Sequence, residues 1–406
     1  MLRAIDGCPR DRGWCTLRDM LPLLAHADVC IVGGSLAGIA AALAAAADGR
    51  SVVIVAERTY LGDDAAGTFE FLPGATTGDP LAARLWPQAD VPATPLHLKA
   101  TLEQAAIAAG IRLWYATGVT HLIDDGAGVL VATGGGLAAV TARVVIDATP
   151  RRVLLRCAGA AQPAGTRRLA LGIVGGAPAD AARVGGYALR SRRFGDRSAD
   201  IHRLTRTLDC GDGSPRAWLA ADAALRNQAF TPDLLRLADL PIDLDAVAAP
   251  SWHGDRIAVA AGGELPPVKR LAAGRRLGVA AARRARDLAD GVPRHAHCAG
   301  GVPQPHLRWL PTATRLADAP RVALDGIDAL PVLGAFDVTV LGGGTGGAPA
   351  AIAAARAGAR TLVAEAAPGL GGVGTQGLIS AYWHGNRVGM TAEIDRGVAA
   401  MGDGGP

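Results

Sequence analysis

The sequence predicts an α/β protein: a Rossmann-type three-layer domain with an inserted β segment and a cap, followed by the start of a second Rossmann-type unit. Three observations predict it. A strand, glycine turn, helix, strand and acid occur in that order twice, at residues 28–57 and 337–365. The chain has 406 residues, enough for two domains. Half of it is hydrophobic but only 4% is aromatic, so its core must be built from Ala, Val and Leu.

Residues 1–27 read as a leader. Acidic and basic residues mix there without a signal-peptide layout, and the apolar residues 20–24 can pack on the first domain. Residues 28–150 form the first part of a dinucleotide-binding domain. An apolar run from Val29 reads as a buried strand, and Gly33, Gly34, Ser35 and Gly38 occupy the turn into an Ala-rich helix. In G-x-G-x-x-G the first glycine permits the tight turn, the second lets the backbone approach a pyrophosphate, and the third lets helix pack on strand. Ser35 stands at the middle position, where a Cβ crowds the approach but a hydroxyl can meet a phosphate oxygen. Glu57, followed by Arg58, closes the second strand, where an acid can bind a ribose hydroxyl. Residues 29–47 are long and apolar enough for a membrane span, but they break into strand, turn and helix.

Residues 60–68 are a degraded echo of 369–375, with Asp63 and Asp64 replacing glycines. Residues 70–95 read as loop and 96–110 as a helix ending at Gly110. Strands are expected at 111–115, 118–123, 129–133 and 138–149. Residues 151–250 are less periodic and read as a cap or substrate region, with helical patches near 177–190 and 216–240. Residues 251–290 close the domain through a strand at 255–261, a loop carrying Gly262, Gly263 and Glu264, and a helix at 268–288. Residues 291–336 are a linker.

Residues 337–406 hold the second, incomplete dinucleotide-binding unit. Gly342, Gly344 and Gly347 complete its G-x-G-x-x-G. Glu365 follows its second strand, and Gly371, Gly372 and Thr375 follow the acid. The free N–H groups at the start of the intervening helix suit phosphate oxygens.

Several classes are excluded or disfavoured. A net charge of +4 spread along an arginine-rich chain does not argue for nucleic acid. Six scattered cysteines without C-x-x-C fit free thiols in a reducing, cytoplasmic setting. Gly33, Ser35 and Ala37 lack the last glycine of a hydrolase nucleophile elbow. His295, His297, Cys298 and His306 have no second ligand pair, so no metal is expected.

Together the fingerprint at 33–38, Glu57, the Asp147-Ala-Thr149 strand end and the strand-loop-helix at 255–288 resemble the FAD-dependent oxidoreductases of the two-dinucleotide-binding, glutathione-reductase-like superfamily. Pro150 stands where that family has glycine. The second unit resembles the family more closely. The resemblance implies FAD as cofactor, its pyrophosphate on residues 33–38, its ribose on Glu57 and its flavin near 262–278. Hydride would pass between the flavin and a small organic substrate, with neither nucleic acid nor membrane as partner. A tandem chain with a truncated second module is expected, completed by a partner chain or a further C-terminal segment. Tyr382 and His384 follow the second phosphate loop, and His384 suits proton transfer at neutral pH. The alternative is a first module that is a non-catalytic scaffold for the second.

Overall fold

The computed structural model describes residues 21–75, 78–123, 126–158, 164–191, 195–231, 233–246, 249–288, 295–297, 321–325, 334–367, 369–377, 379 and 385–400. Strand β1 (Leu21–Val32) leads into α1 (Leu36–Ala47) and β2 (Val52–Val55). Short helices α2 (Asp63–Ala66) and α3 (Pro80–Leu85) precede α4 (Pro95–Ala108). Strand β3 (Arg112–Trp114) follows, then β4 (Gly118–Ile123), β5 (Gly128–Thr133) and the long β6 (Gly136–Asp147). After α5 (Val153–Cys157) come β7 (Thr166–Gly175), β8 (Ala182–Ser191), β9 (Gly195–Asp209), α6 (Pro215–Ala229), β10 (Leu234–Leu237) and β11 (Ile242–Asp243). The hairpin β12 (Ser251–His253) and β13 (Ile257–Val259) then leads to α7 (Pro267–Asp287).

Five strands pair in parallel in the order β13-β6-β1-β2-β3. β1 is central, with β2 on one side and β6 on the other, so the chain reverses direction across the sheet there. Ligands of open α/β sheets bind beyond the carboxyl ends of the strands at such a switch point. Side chains alternate along β1. Val29 and Ile31 join a cluster with α1, α4 and α7, whereas Cys30 and Val32 join one beneath the β4–β5 hairpin. Burying each such Val or Ile contributes about 1.5–3 kcal/mol.

β6 pairs in two directions within one sheet. Its first half pairs antiparallel with β5, and its second half pairs in parallel with β1. Its partner β1 starts at Leu21, so the boundary expected at residue 28 falls inside a strand. Leu23 to Ala27 continue the pairing with β6 past a bulge.

The cap differs most from its expected form. Residues 182–191 form a strand rather than a helical patch, paired with β9 from Ala182 to Ser191. The cap sheet runs β10-β7-β9-β8, with β11 beside β7. The patch at 216–240 divides into helix α6 and strand β10. Within the loop expected at 70–95, Asp79 caps α3 by accepting from the N–H groups of Leu81 and Ala82.

In the linker, β14 (His295–His297) pairs with β15 (Arg321–Asp325), and β15 reaches β1 at Leu21 and Pro22. The second unit has β16 (Val338–Leu341), α8 (Gly347–Arg356), β17 (Thr361–Ala364) and α9 (Met390–Ala400), with β16 and β17 parallel.

Candidate dinucleotide sites

Each fingerprint builds its loop from the same backbone bonds. In the first unit the N–H of Gly33 donates to Val55 O at 2.8 Å, and that of Gly62 to Gly34 O at 2.7 Å. In the second, Gly342 donates to Ala364 O and Gly371 to Gly343 O, both at 2.8 Å. Asp28 and Asp337 each accept from the backbone N–H that starts the next strand, of Ser51 and Arg360. These pairs share one constant offset along the chain, which defines equivalent positions.

At that offset, Ser35 corresponds to Gly344, Asp63 to Gly372, Asp64 to Val373 and Ala56 to Glu365. Glu57 therefore lies one residue beyond the place of the second unit's acid, so the two acids do not hold equivalent positions. Counting from the turn glycines or from the strand ends shows the same one-residue slip.

The first unit keeps the glycines its packing needs. Gly33 has φ +102°, and a Cβ on it would lie 2.7 Å from the carbonyl carbon of Ala148. A Cβ on Gly38 would lie 2.6 Å from the Ala148 Cβ. Ser35 caps α1, its Oγ accepting from Gly38 N–H at 3.2 Å. The N–H of Leu36, in the first turn of α1, donates to Asp64 Oδ1 at 2.7 Å. A carboxylate of the chain thus sits at the helix terminus, where a ligand phosphate would bind.

Arg270, 2% exposed at the start of α7, holds that acid. Its Nη1 donates to the Asp64 backbone O at 2.8 Å and lies 3.4 Å from Asp64 Oδ2. Its Nη2 lies 2.6 Å from Glu70 Oε2 and donates to Gly263 O at 3.1 Å. Helix α7 reaches this place because Gly274 and Gly278 admit the backbone of α1; a Cβ on Gly274 would lie 2.0 Å from Ala37 O. Asp63 is buried, and its Oδ1 has no hydrogen-bond partner. Burial pushes the Asp63 carboxyl up to about 7, with the neighbouring Asp64 charge adding to the shift. Burial also raises Asp64, against the pull of Arg270.

Two clefts open at the carboxyl ends of the strands. One is lined by Ser35, Asp64, Thr149, Arg152, Gly263 and Arg270. The other is lined by Gly33, Glu57, Arg58, Asp63 and Thr117. The structure thus brings the sequence-predicted Gly33, Ser35, Glu57, Arg58, Gly262 and Gly263 to the edges of these clefts. Glu264 instead makes a surface ion pair with Arg168 of the cap, at 3.2 Å. The turn carrying Pro150 is held by Asp147, which accepts from Thr149 N–H at 3.0 Å and Leu154 N–H at 2.7 Å. Glycine is not needed there.

The first unit therefore does not fit a dinucleotide diphosphate. Two unit charges of like sign 4 Å apart repel by about 4 kcal/mol at an effective dielectric near 20. Asp64 and Glu70 share a single arginine, Arg270, and the buried Asp63 lies close enough to Asp64 for that charge to raise its carboxyl.

The second unit does fit. Gly342 has φ +89°, and a Cβ on Gly347 would lie 1.9 Å from Gly342 O, so the turn requires the first and packing the second. Nothing lies within 4 Å of a Cβ built on Gly344. That glycine serves no packing need and leaves room for a ligand. Glu365 accepts from the N–H of Gly343 and, at 2.8 Å, from that of Ala367. These backbone donors hold its carboxyl below the usual range. Among the described residues, the N–H groups of Gly344, Thr345, Gly346 and Gly347 have no partner. Gly371 turns with φ +97°, Gly372 abuts Gly344, and Thr375 Oγ1 donates to Leu370 O at 2.7 Å.

A family model for FAD dependent oxidoreductases matches residues 28–234 and 337–399. The chain belongs to that family. It is an enzyme of the FAD-dependent oxidoreductases, and the family implies FAD as cofactor. No curated protein matches. Among solved structures, the chain is similar to a geranylgeranyl bacteriochlorophyll reductase-like protein from Thermoplasma acidophilum. Identity is 16%, coverage 65% of this chain and 78% of that one, and the TM-score 0.40. Glycine oxidase from Geobacillus kaustophilus is 17% identical, with 65% and 94% covered and a TM-score of 0.36. L-Proline dehydrogenase from P. horikoshii is 12% identical, with 64% and 93% covered and a TM-score of 0.39.

Tyr382 and His384 lie outside the described residues, as do Cys298 and His306. Trp252 belongs to the β12–β13 hairpin and lies under the Arg284 guanidinium, 4.0 Å from its ring centroid, which gives it a packing role. No helix among the described residues is long and apolar enough to cross a membrane. Cys30, Cys157 and Cys210 are free thiols, and burial pushes Cys30 up to about 12. What sequence reasoning missed is Arg270. Its signal was present: an arginine among small residues of a helix bound to pack closely.

Proposed function

We propose that this family member transfers hydride between a small organic substrate and FAD, and that the N-terminus of α8 holds the cofactor's diphosphate. The observation that carries the placement is Gly344, a glycine with open space around it beside four N–H groups without partners among the described residues. Bound FAD supplies a hydride-accepting isoalloxazine. The chain's residues orient it: residues 344–347 meet the diphosphate, Glu365 meets the adenosine ribose, and Gly371, Gly372 and Thr375 shape the wall of the loop. His384, with Tyr382, is the proposed proton-transfer residue, to be tested by the pH profile of His384→Gln.

Further strands complete the second unit's sheet in this reading. The support is exposure: Leu341 is 82% exposed where the equivalent Val32 is 3% exposed. A two-stranded sheet alone is marginal in water. The partner is a further segment or another chain. The test is the visible spectrum of the purified protein and its flavin-to-chain ratio after acid release. About one FAD per chain, bleached by a reducing substrate, supports the reading. A colourless protein that takes up neither FAD nor ADP contradicts it.

A further inference from the structure

We infer that the first fingerprint is sealed against dinucleotides by the chain's own carboxylate: Asp64 occupies the anion position at the start of α1, and Arg270 locks it there. The inference stands independently of whether the second unit holds a cofactor.

The comparison between the units singles out which residues were exchanged. The turn glycine is kept as Gly33 and Gly342, and the helix-packing glycine as Gly38 and Gly347. A Cβ on Gly33, Gly38 or Gly347 would meet backbone or a packed side chain, and Gly342 turns with φ +89°. Four of the exchanged positions border the phosphate loop or follow its second strand. Gly344 has Ser35 as its equivalent, and the Ser35 hydroxyl turns inward to Gly38 N–H. Gly372 has Asp63, Val373 has Asp64, and Glu365 has Ala56. The first unit thus keeps the backbone of the fold and places side chains where ligand atoms would go.

Those side chains satisfy the site from within. Asp64 takes the Leu36 donor. Arg270 supplies the opposing charge and binds Gly263 O of the late loop, joining three segments around the former ligand position. Glu70 extends the lock into the cap, its Oε1 lying 2.7 Å from Arg203 Nη2. A diphosphate entering here must displace a carboxylate and then face it. The buried Asp63 Oδ1, unpartnered and lining the neighbouring cleft, adds a second acceptor that repels it.

The test uses the full chain and ADP as probe, with Gly344→Asp silencing the second loop. In that background no binding at millimolar ADP is expected. Adding Asp63→Gly with Asp64→Gly removes both carboxylates, and an affinity gain of at least about tenfold is expected. Circular dichroism reports folding. If the glycine pair does not fold, Asp63→Asn with Asp64→Asn decides, since asparagine keeps the cap while losing the charge. Two results overturn the inference: ADP binding in the silenced background that Ser35→Asp abolishes, or a folded double variant that gains nothing. Wild-type protein that binds no ADP contradicts the function proposed for the second unit and leaves the sealing intact.

Discussion

Gly33 and Gly342 make the same turn from a buried strand into an Ala-rich helix, and Gly62 and Gly371 return the chain to it through the same bond. Around this shared backbone the two loops have opposite electrostatics. In the first, burial raises the carboxyls of Asp63 and Asp64, so negative charge is already costly there. In the second, backbone donors keep Glu365 ionised below its usual range, and four N–H groups have no partner among the described residues. The strands differ too. Val29 and Ile31 are fully buried, while Val338 is 36% and Leu341 82% exposed. The comparison separates what a Rossmann turn needs to fold from what it needs to bind. The turn glycine and the helix-packing glycine persist in both units, and Gly344, which has open space around it, persists only in the second.

Four substitutions would break or sharpen this comparison. The largest effect is expected from Gly344→Asp, which imports a carboxylate into the open loop without a steric clash. ADP affinity should fall by about a thousandfold in a titration, from a charge repulsion of roughly 4 kcal/mol. An unchanged affinity would remove the second loop as the binding site.

Next is Asp63→Asn. The folded-state pKa of Asp63 is raised from 3.8 to about 7, so the folded protein binds the proton more tightly than the unfolded chain. Stability is therefore highest below pH 3.8 and is lost as pH rises towards 7. The full loss is roughly 4 kcal/mol at most. Denaturant midpoints of wild type minus Asp63→Asn should fall across that window, and parallel curves would count against the buried acid.

Gly38→Ala forces a Cβ to within 2.6 Å of Ala148 and should cost about 1–3 kcal/mol by thermal unfolding. Because that cost is structural, this position cannot report on ligand binding in the first unit. The smallest effect is expected from Asp28→Ala, which removes the carboxylate accepting from Ser51 N–H and Oγ at the start of β2. A loss of about 0.5–1.5 kcal/mol, measured by urea unfolding, fits one exchanged hydrogen-bonding group.

Much of the first domain was legible in the sequence. The helix expected at 96–110 forms at Pro95–Ala108, and the strand at 118–123 has the expected bounds. Both rest on local periodicity, which survives without tertiary information. The cap was not legible for the opposite reason. Residues 177–190 carry Ala at helical spacing, yet the pairing of β8 with β9 overrides that preference. Asp63 and Asp64 in place of the second unit's Gly372 and Val373 were visible, but not their consequence. Asp64 reaches the N–H of Leu36, and Arg270 reaches Asp64 from a helix 206 residues away in sequence. No spacing rule encodes such a meeting. The slip of Glu57 against Glu365 was legible by counting from either turn glycine, 24 residues from Gly33 against 23 from Gly342.

The most direct test is a crystal structure of the full chain grown with ADP. The account predicts a diphosphate on the N–H groups of residues 344–347, with the adenosine ribose at Glu365, and Asp64 still bound to Leu36 N–H. A diphosphate on the N-terminus of α1, with Asp64 swung away from Arg270, would contradict it.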